Sequence, residues 1–280
     1  MILDGKQVSS AIKASLAAQV STFPEKYGRV PNLAVILVGE DPASQVYVRN
    51  KARGCEAVGI SNSTYRLPAE TTEPELLSLI GQLNADPAVD GILVQLPLPR
   101  HLDEHKVIET IAMEKDVDGF HPGNVAALWQ KRPCIVACTP KGIMKLLESA
   151  GIDPCGKRAV VVGRSNIVGL PVAKLLLDAN ATVTVCHTRT KNLPEITRQA
   201  EILVVAAGRA KMVTADMVSD GVVVIDVGMD RDEDGKLCGD VDYGSVAPKA
   251  SWITPVPGGV GPMTIACLLE NTVQCFLRRL

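Results

Sequence analysis

Apolar residues in this chain recur in two alternating spacings. Ile12, Leu16 and Val20 fall at helical intervals and predict an amphipathic helix over 9–20. After Pro31, residues 33–38 form an unbroken apolar run, with the length of a strand buried on both faces. Gly39-Glu40 ends that run. Asp41-Pro42 then supplies an N-cap followed by proline at the first helical position, which opens a helix to about Val58, stopped by Gly59. A short strand near 64–66 follows, then a helix over about 73–83 with Leu76, Leu77 and Ile80 inward. Next come a strand over 92–96 and a helix over about 103–113. The alternation of strand and helix predicts a parallel sheet covered by helices.

The second half repeats the logic, beginning near Thr139-Pro140, again an N-cap and N1 proline. Residues 159–162 are a β-branched run ending on Gly163, and a helical pattern (Val168, Val172, Leu175, Leu176) starts soon after. Strand, glycine turn and helix form a context in which N–H groups at a helix N-terminus can cradle a phosphate. The letters differ from the standard fingerprint: Ser165 and Val168 stand where GxGxxG has glycine, and the next glycine is Gly169. An ordinary strand-to-helix turn is the competing reading. The following strand, 181–186, ends in His187-Thr188-Arg189-Thr190-Lys191. An NAD site places an acid here to bond the ribose hydroxyls, but this chain has two cations, with Arg164 as a third. A solvated basic loop would explain the same letters, yet the pattern favours NADP over NAD because Arg, Thr and Lys can bind a 2′-phosphate. Strands over 202–205 and 222–225, a Gly- and Pro-rich stretch over 254–262 and a last helix over 263–276 complete the chain.

Composition narrows the class. At 280 residues the chain has room for two ordinary domains, and 46% hydrophobic with 21% charged residues describes a soluble globular protein. A net charge of −2 and only two Trp, four Tyr and three Phe give no case for nucleic acid as a partner. No apolar run approaches the ~20 residues of a membrane span, and Asp4 and Lys6 interrupt the region where a signal peptide has its apolar core. The eight cysteines include no CxxC pair, which points to reduced, structural thiols and a cytoplasmic protein.

Several residues can carry chemistry. Tyr47 and Lys51 lie one turn apart on a helix face, beside the apolar line Val48, Ala52, Cys55. A lysine partly desolvated there suits proton transfer, whereas a snorkelling surface lysine is the bland alternative. Tyr-x-x-x-Lys also marks short-chain dehydrogenases, but in that family the glycine turn precedes it, and here the order is reversed. Gln95 is a polar residue at the C-terminal end of an apolar strand, where an open parallel sheet borders its ligand crevice. Of Asp116 and Asp118, Asp118 looks ligand-facing, being followed by Gly119 in a loop. No metal is expected. His101-Leu-Asp-Glu-His105 matches a zinc-protease pattern without a third ligand, and 230–235 resembles half a calcium loop but lacks its closing Glu, so a hairpin turn at Asp234-Gly235 is the better reading.

Taken in order, VYVRNK (46–51), GILVQLPLP (91–99), KDVDGFHP (115–122), CTPKGI (138–143), VVGRSNIVGLP (161–171), VIDVG (224–228), GDVD (239–242) and PVPGGVGPMT (255–264) closely resemble the bifunctional methylenetetrahydrofolate dehydrogenase/methenyltetrahydrofolate cyclohydrolase family. The resemblance implies two α/β domains with a cleft between them: a folate-binding catalytic domain of 1–138 plus the last helix, 263–280, and a Rossmann-type NADP-binding domain of 139–262 with a parallel sheet. It implies NADP-dependent oxidation of methylenetetrahydrofolate, hydrolysis of the methenyl product to 10-formyltetrahydrofolate, and a homodimer. Carried over by motif, Lys51 is the catalytic lysine, Gln95 supports it, Tyr47 stacks on the folate and Asp118 bonds the pterin edge. Gly163, Arg164, Ser165 and Ile167 would line the cofactor, with Thr188 in place of the more usual Ser and Arg189 beside it. Pro257, Gly258 and Gly259 would border the folate. A shikimate-dehydrogenase-like enzyme and a non-catalytic NADP-binding module are the competing assignments.

Overall fold

Asp4 starts the first helix earlier than the spacing of Ile12, Leu16 and Val20 indicates. Its Oδ1 accepts from Lys6 N and Gln7 N at 2.9 and 3.1 Å, so α1 spans Gly5–Val20. The computed structural model describes residues 1–280. After α1 come α2 (Phe23–Tyr27), β1 (Asn32–Val38), α3 (Pro42–Val58), β2 (Ser61–Leu67), α4 (Glu73–Ala85), β3 (Gly91–Val94), α5 (Glu104–Thr110) and α6 (Pro122–Trp129). The second half continues with α7 (Cys138–Ser149), β4 (Arg158–Val162), α8 (Gly169–Asp178), β5 (Thr182–Cys186), α9 (Leu193–Thr197), β6 (Ile202–Val205), β7 (Val223–Asp226), β8 (Asp230–Arg231), β9 (Leu237–Cys238), α10 (Tyr243–Val246), β10 (Trp252–Ile253) and α11 (Val260–Arg278). The chain divides into two units, one of Ser10–Cys138 and Ile265–Leu280, the other of Met1–Ser9 and Thr139–Thr264.

The first unit is built on a three-stranded parallel sheet in the order β2-β1-β3. Central β1 is apolar throughout because both its faces are covered. Leu33, Val35 and Leu37 point into one core with Val48, Cys55 and Phe276, while Ala34, Ile36 and Val38 point into another with Leu76, Ile80 and Val107. Helix α3 begins as its letters indicate, with Ser44 N donating to Asp41 Oδ2 at 2.7 Å, and ends on Gly59 at φ 77°. Gly54 lets α3 approach α11 closely, since a Cβ there would lie 3.0 Å from Ile265 Cγ2. The helix expected over 103–113 is shorter: α5 stops at Thr110 and a single 3-10 turn, Met113–Lys115, follows.

The second unit is a five-stranded parallel sheet in the order β10-β7-β6-β4-β5, with Val160, Val162, Leu203, Val205 and Val224 in its core. Residues 230–238 form the expected hairpin, with Gly235 N donating to Asp232 O at 2.8 Å and Gly235 at φ 75°. Met1–Ser9 group here because they extend the sheet past β10: Leu3 N donates to Ile253 O at 2.9 Å and Ile253 N to Met1 O at 3.0 Å. Helix α11 is long and apolar enough, by length and composition only, to cross a membrane, but Glu270, Asn271 and Gln274 interrupt its apolar residues. Most of it is buried within the protein, and its polar residues bond inside: Thr272 Oγ1 donates to Leu268 O at 2.9 Å and Asn271 Nδ2 to Val117 O at 2.9 Å.

Candidate active site

In the first unit, α3 carries Tyr47 and Lys51 on one face, and β3 leads directly to Gln95. The strand ends at Val94, one residue short of Gln95, but Gln95 N still donates to Ile36 O at 2.9 Å and keeps the ladder in register. Lys51 Nζ donates to Gln95 Oε1 at 3.0 Å. The other end of the same amide is tied back, since Gln95 Nε2 donates to Leu96 O at 2.7 Å. The amide is therefore oriented with its oxygen toward the lysine. An ammonium has three N–H donors, so this bond leaves Lys51 with two for a ligand or water. Tyr47 is partly exposed, yet desolvation pushes its phenol above the usual range.

The loop over 115–122 separates its two aspartates by role. Asp116 is buried and fully engaged: Oδ1 accepts from Gly119 N at 3.0 Å, and Oδ2 accepts from His121 N at 2.8 Å and Asn124 Nδ2 at 2.9 Å. Gly119 sits at φ 74°, and a Cβ there would lie 2.6 Å from Ala137 N, so only glycine fits the turn. Asp118 accepts no hydrogen bond from the chain. Burial raises its carboxyl to about 6; the negative charge of Asp116 adds to the rise and the positive charge of Lys51 opposes it. A lysine with two open donors and a carboxylate without partners thus share one electrostatic environment.

Two residues that support this loop escaped the sequence reading. Asn124 Oδ1 accepts from Ile135 N at 3.1 Å while its amide holds Asp116. Asn271, fully buried on α11, donates to Val117 O and Val136 O, both at 2.9 Å. The available signal was a lone asparagine within an apolar helix. None of the eight cysteines forms a disulfide and only Cys155 is exposed, and burial pushes Cys55 and Cys275 up to about 12.

In the second unit the turn after β4 is built for close approach. Gly163 stands at φ 127°, where a Cβ would lie 2.2 Å from Ala206 O, and a Cβ on Gly169 would lie 2.3 Å from Gly163 O. Ser165 Oγ caps α8, accepting from Val168 N at 3.2 Å and Gly169 N at 3.3 Å. Arg164, Ser165 and Ile167 are exposed around this turn. Strands β4 and β5 pair in parallel, and Gly163 N donates to Cys186 O at 2.9 Å, so Thr188 and Arg189 emerge beside Arg164 at the C-terminal end of the sheet. No carboxylate follows β5. A glycine cradle open to a phosphate group, flanked by two arginines and a hydroxyl, fits NADP. Pro257, Gly258 and Gly259 lie in the turn before α11, held from the N-terminus: Lys6 N donates to Gly258 O at 3.1 Å, and a Cβ on Gly5 would lie 1.7 Å from Gly259 O.

Comparison with known proteins gives the same outline for both halves. The tetrahydrofolate dehydrogenase/cyclohydrolase catalytic domain matches residues 3–118, and the NAD(P)-binding domain of the same family matches 137–280. The bifunctional protein FolD of Moorella thermoacetica is 60% identical over 277 residues, covering 99% of each chain. The solved structure of the bifunctional FolD dehydrogenase/cyclohydrolase of Campylobacter jejuni is 53% identical, with a TM-score of 0.98 over 100% of this chain and 99% of that one. The dehydrogenase-cyclohydrolase of Trypanosoma brucei, solved with NADP and an inhibitor, is 41% identical with a TM-score of 0.95, covering 99% of this chain and 97% of that one.

Proposed function

The chain belongs to the tetrahydrofolate dehydrogenase/cyclohydrolase family, and from that premise we propose how its residues divide two consecutive reactions. The enzyme oxidises 5,10-methylenetetrahydrofolate with NADP and hydrolyses the resulting 5,10-methenyltetrahydrofolate to 10-formyltetrahydrofolate. Bound NADP supplies the hydride acceptor. The chain's part in that step is alignment, because the product cation is stabilised by the folate's own nitrogens and no base is needed. Asp118 and Tyr47 orient the folate: the unpartnered Asp118 carboxylate accepts from the N–H groups of the pterin edge, and the Tyr47 ring packs against the substrate. Gly163, Arg164, Ser165, Ile167, Thr188 and Arg189 bind NADP, with the cations and hydroxyl at the 2′-phosphate. Pro257, Gly258 and Gly259 border the folate.

Hydrolysis makes a different demand. The attacking water must lose a proton and a ring nitrogen must gain one. Lys51 moves these protons through the donors that Gln95 leaves open, and Gln95 holds Nζ at the required position. The observation that carries this reading is the 3.0 Å bond from Lys51 Nζ to a glutamine whose amide is locked from the other side. Supplying methylenetetrahydrofolate and NADP should produce the methenyl absorbance and then its decay to the formyl product. General acid–base catalysis contributes about 10²–10⁴-fold, so Lys51→Met should lose roughly that factor in hydrolysis, lose less in oxidation, and accumulate the methenyl species. Absence of NADP-dependent methenyl formation by the wild type would overturn the activity. Hydrolysis near the wild-type rate in Lys51→Met would remove the lysine from it.

The same reading extends to the assembly and the compartment. β2 pairs on one side only, with β1, so its outer N–H and C=O groups support joining to a second copy in a homodimer. That the eight cysteines form no disulfide supports a reducing, cytoplasmic location.

A further inference from the structure

In the second unit the chain leaves β4 toward β5 on one side of the sheet and returns to β6 on the other. In an open parallel sheet the ligand crevice opens at such a reversal, beyond the C-terminal ends of the strands. Its two walls here are the Gly163 turn after β4 and residues 206–209 after β6. They are in contact, as the 2.2 Å from a Gly163 Cβ to Ala206 O makes plain. The second wall has no helix or strand of its own, and it presents three successive backbone N–H groups to one carboxylate. Ala207 N and Gly208 N donate to Asp240 Oδ2 at 2.7 and 3.2 Å, and Arg209 N donates to Asp240 Oδ1 at 2.6 Å. Converging backbone N–H groups make an anion-binding concavity. This one is filled by the protein's own buried aspartate.

Asp240 is itself held from behind. Its N–H donates to Asp226 Oδ1 at 3.0 Å, Val241 N donates to Asp226 Oδ2 at 3.0 Å, and Gly228 N donates to Asp226 Oδ1 at 3.0 Å. Asp226 ends β7, and its own N–H donates to Thr254 Oγ1 at 2.7 Å. Burial, then the neighbouring Asp240, makes Asp230 hold its proton more tightly than an ordinary aspartate. No side chain larger than hydrogen fits between these groups: a Cβ on Gly239 would lie 1.9 Å from Asp226 Oδ2, and one on Gly228 2.3 Å from Asp240 N. The VIDVG and GDVD stretches thus have a shared physical purpose.

We propose that Asp240, backed by Asp226, is a positioning residue for NADP: it fixes the 206–209 wall of the cofactor crevice in advance of binding and touches neither folate nor the reacting atoms. The proposal rests on the NADP assignment above. A wall ordered during folding need not be ordered at the moment of binding, so the carboxylate's effect appears as cofactor affinity.

Asp240→Asn tests it. The amide loses the charge and turns an N–H₂ toward backbone donors. The backbone around it is stitched independently, with Val213 N donating to Asp240 O at 3.0 Å, Asp242 N to Val213 O at 2.8 Å and Lys211 N to Gly239 O at 2.9 Å, so the variant should fold. Losing charge-assisted bonds of this kind should raise the NADP Kd and the dehydrogenase KM for NADP about tenfold or more. Hydrolysis of methenyltetrahydrofolate consumes no NADP, and its rate and folate KM should stay near wild type. Unchanged NADP affinity, or equal loss of both activities, would overturn the proposal. Should Asp240→Asn fail to fold, Asp240→Glu keeps the charge but displaces it by a methylene, and unchanged NADP affinity in that variant would overturn the proposal equally. Directly measured NADP binding keeps this test separate from the assigned activity: a wild type that binds NADP without oxidising methylenetetrahydrofolate defeats the activity and leaves the Asp240 comparison readable.

Discussion

Asp118 ties function and stability to opposite protonation states. Its carboxyl titrates near 6, chiefly because it is buried without partners. In the role proposed for Asp118 the folate-binding form is the ionised one, so folate affinity should fall as pH drops through about 6, and the KM for methenyltetrahydrofolate should rise there. The linkage to folding has the reverse sign. A carboxyl whose folded pKa is raised binds its proton more tightly in the folded state, so its contribution is present at low pH and is lost as pH rises from the ordinary aspartate value toward 6. Asp118→Asn should therefore weaken folate binding, flatten the pH dependence of KM, and raise the melting temperature at neutral pH. A melting temperature that falls, with KM still rising below pH 6, would show that another group titrates there.

Among the elements, α11 helps hold the loop over 115–122. Its Asn271 amide reaches residues far away in the chain, Val117 and Val136, and satisfies a carbonyl in each. Asn271→Leu would take the amide donor from both carbonyls, leaving Val117 O only the Cys138 Sγ contact at 3.4 Å, at a cost of about 1–3 kcal/mol for each bond lost. The loop carrying Asp118 would loosen with it. The expected outcome is a lower urea midpoint together with a higher folate KM, while the NADP Kd stays unchanged, because the cofactor turn belongs to the other unit. A shift in NADP affinity of similar size would assign the loss to general destabilisation. Near the C-terminus the same unit has a second tie: Asp90, fully buried, accepts from Arg29 at 2.6 and 2.8 Å and from Arg279 at 3.2 Å.

For the molecule as a whole, each unit carries its own sheet and its own core, and the proposed chemistry divides along the same line, proton handling in one and cofactor binding in the other. The free edge of β2 bears on the assembly. Light scattering of the purified protein should return twice the 29.8 kDa of one chain. Proline at Thr64, in the middle of β2, should shift the population toward monomer, with the NADP Kd unaltered. A wild type that elutes as a monomer at micromolar concentration would remove the homodimer from the proposal.

Periodicity, caps and glycine stops act within a few residues, so they could be read from the letters alone. Asp41-Pro42 and Gly59 bound α3 where the chain places it, and the apolar run of β1 announced a strand covered on both faces. The glycine turn after β4 and the missing acid after β5 were visible for the same reason. Short helices such as α2, α6 and α9 were missed because one or two turns carry too little periodicity to register. Other features depend on residues that only folding brings together. Gly119 marks Asp118 as the ligand-facing aspartate in the letters, but the engagement of Asp116 shows only in the fold, where Asn124 and two backbone N–H groups converge on Asp116 alone. The grip of Asp240 on 207–209, the reach of Asn271 to Val117 and the docking of Met1–Ser9 beside β10 span 31 to more than 240 positions in the chain. A hydrogen bond is specified by the positions of both partners, and over such separations the packing of whole elements sets those positions.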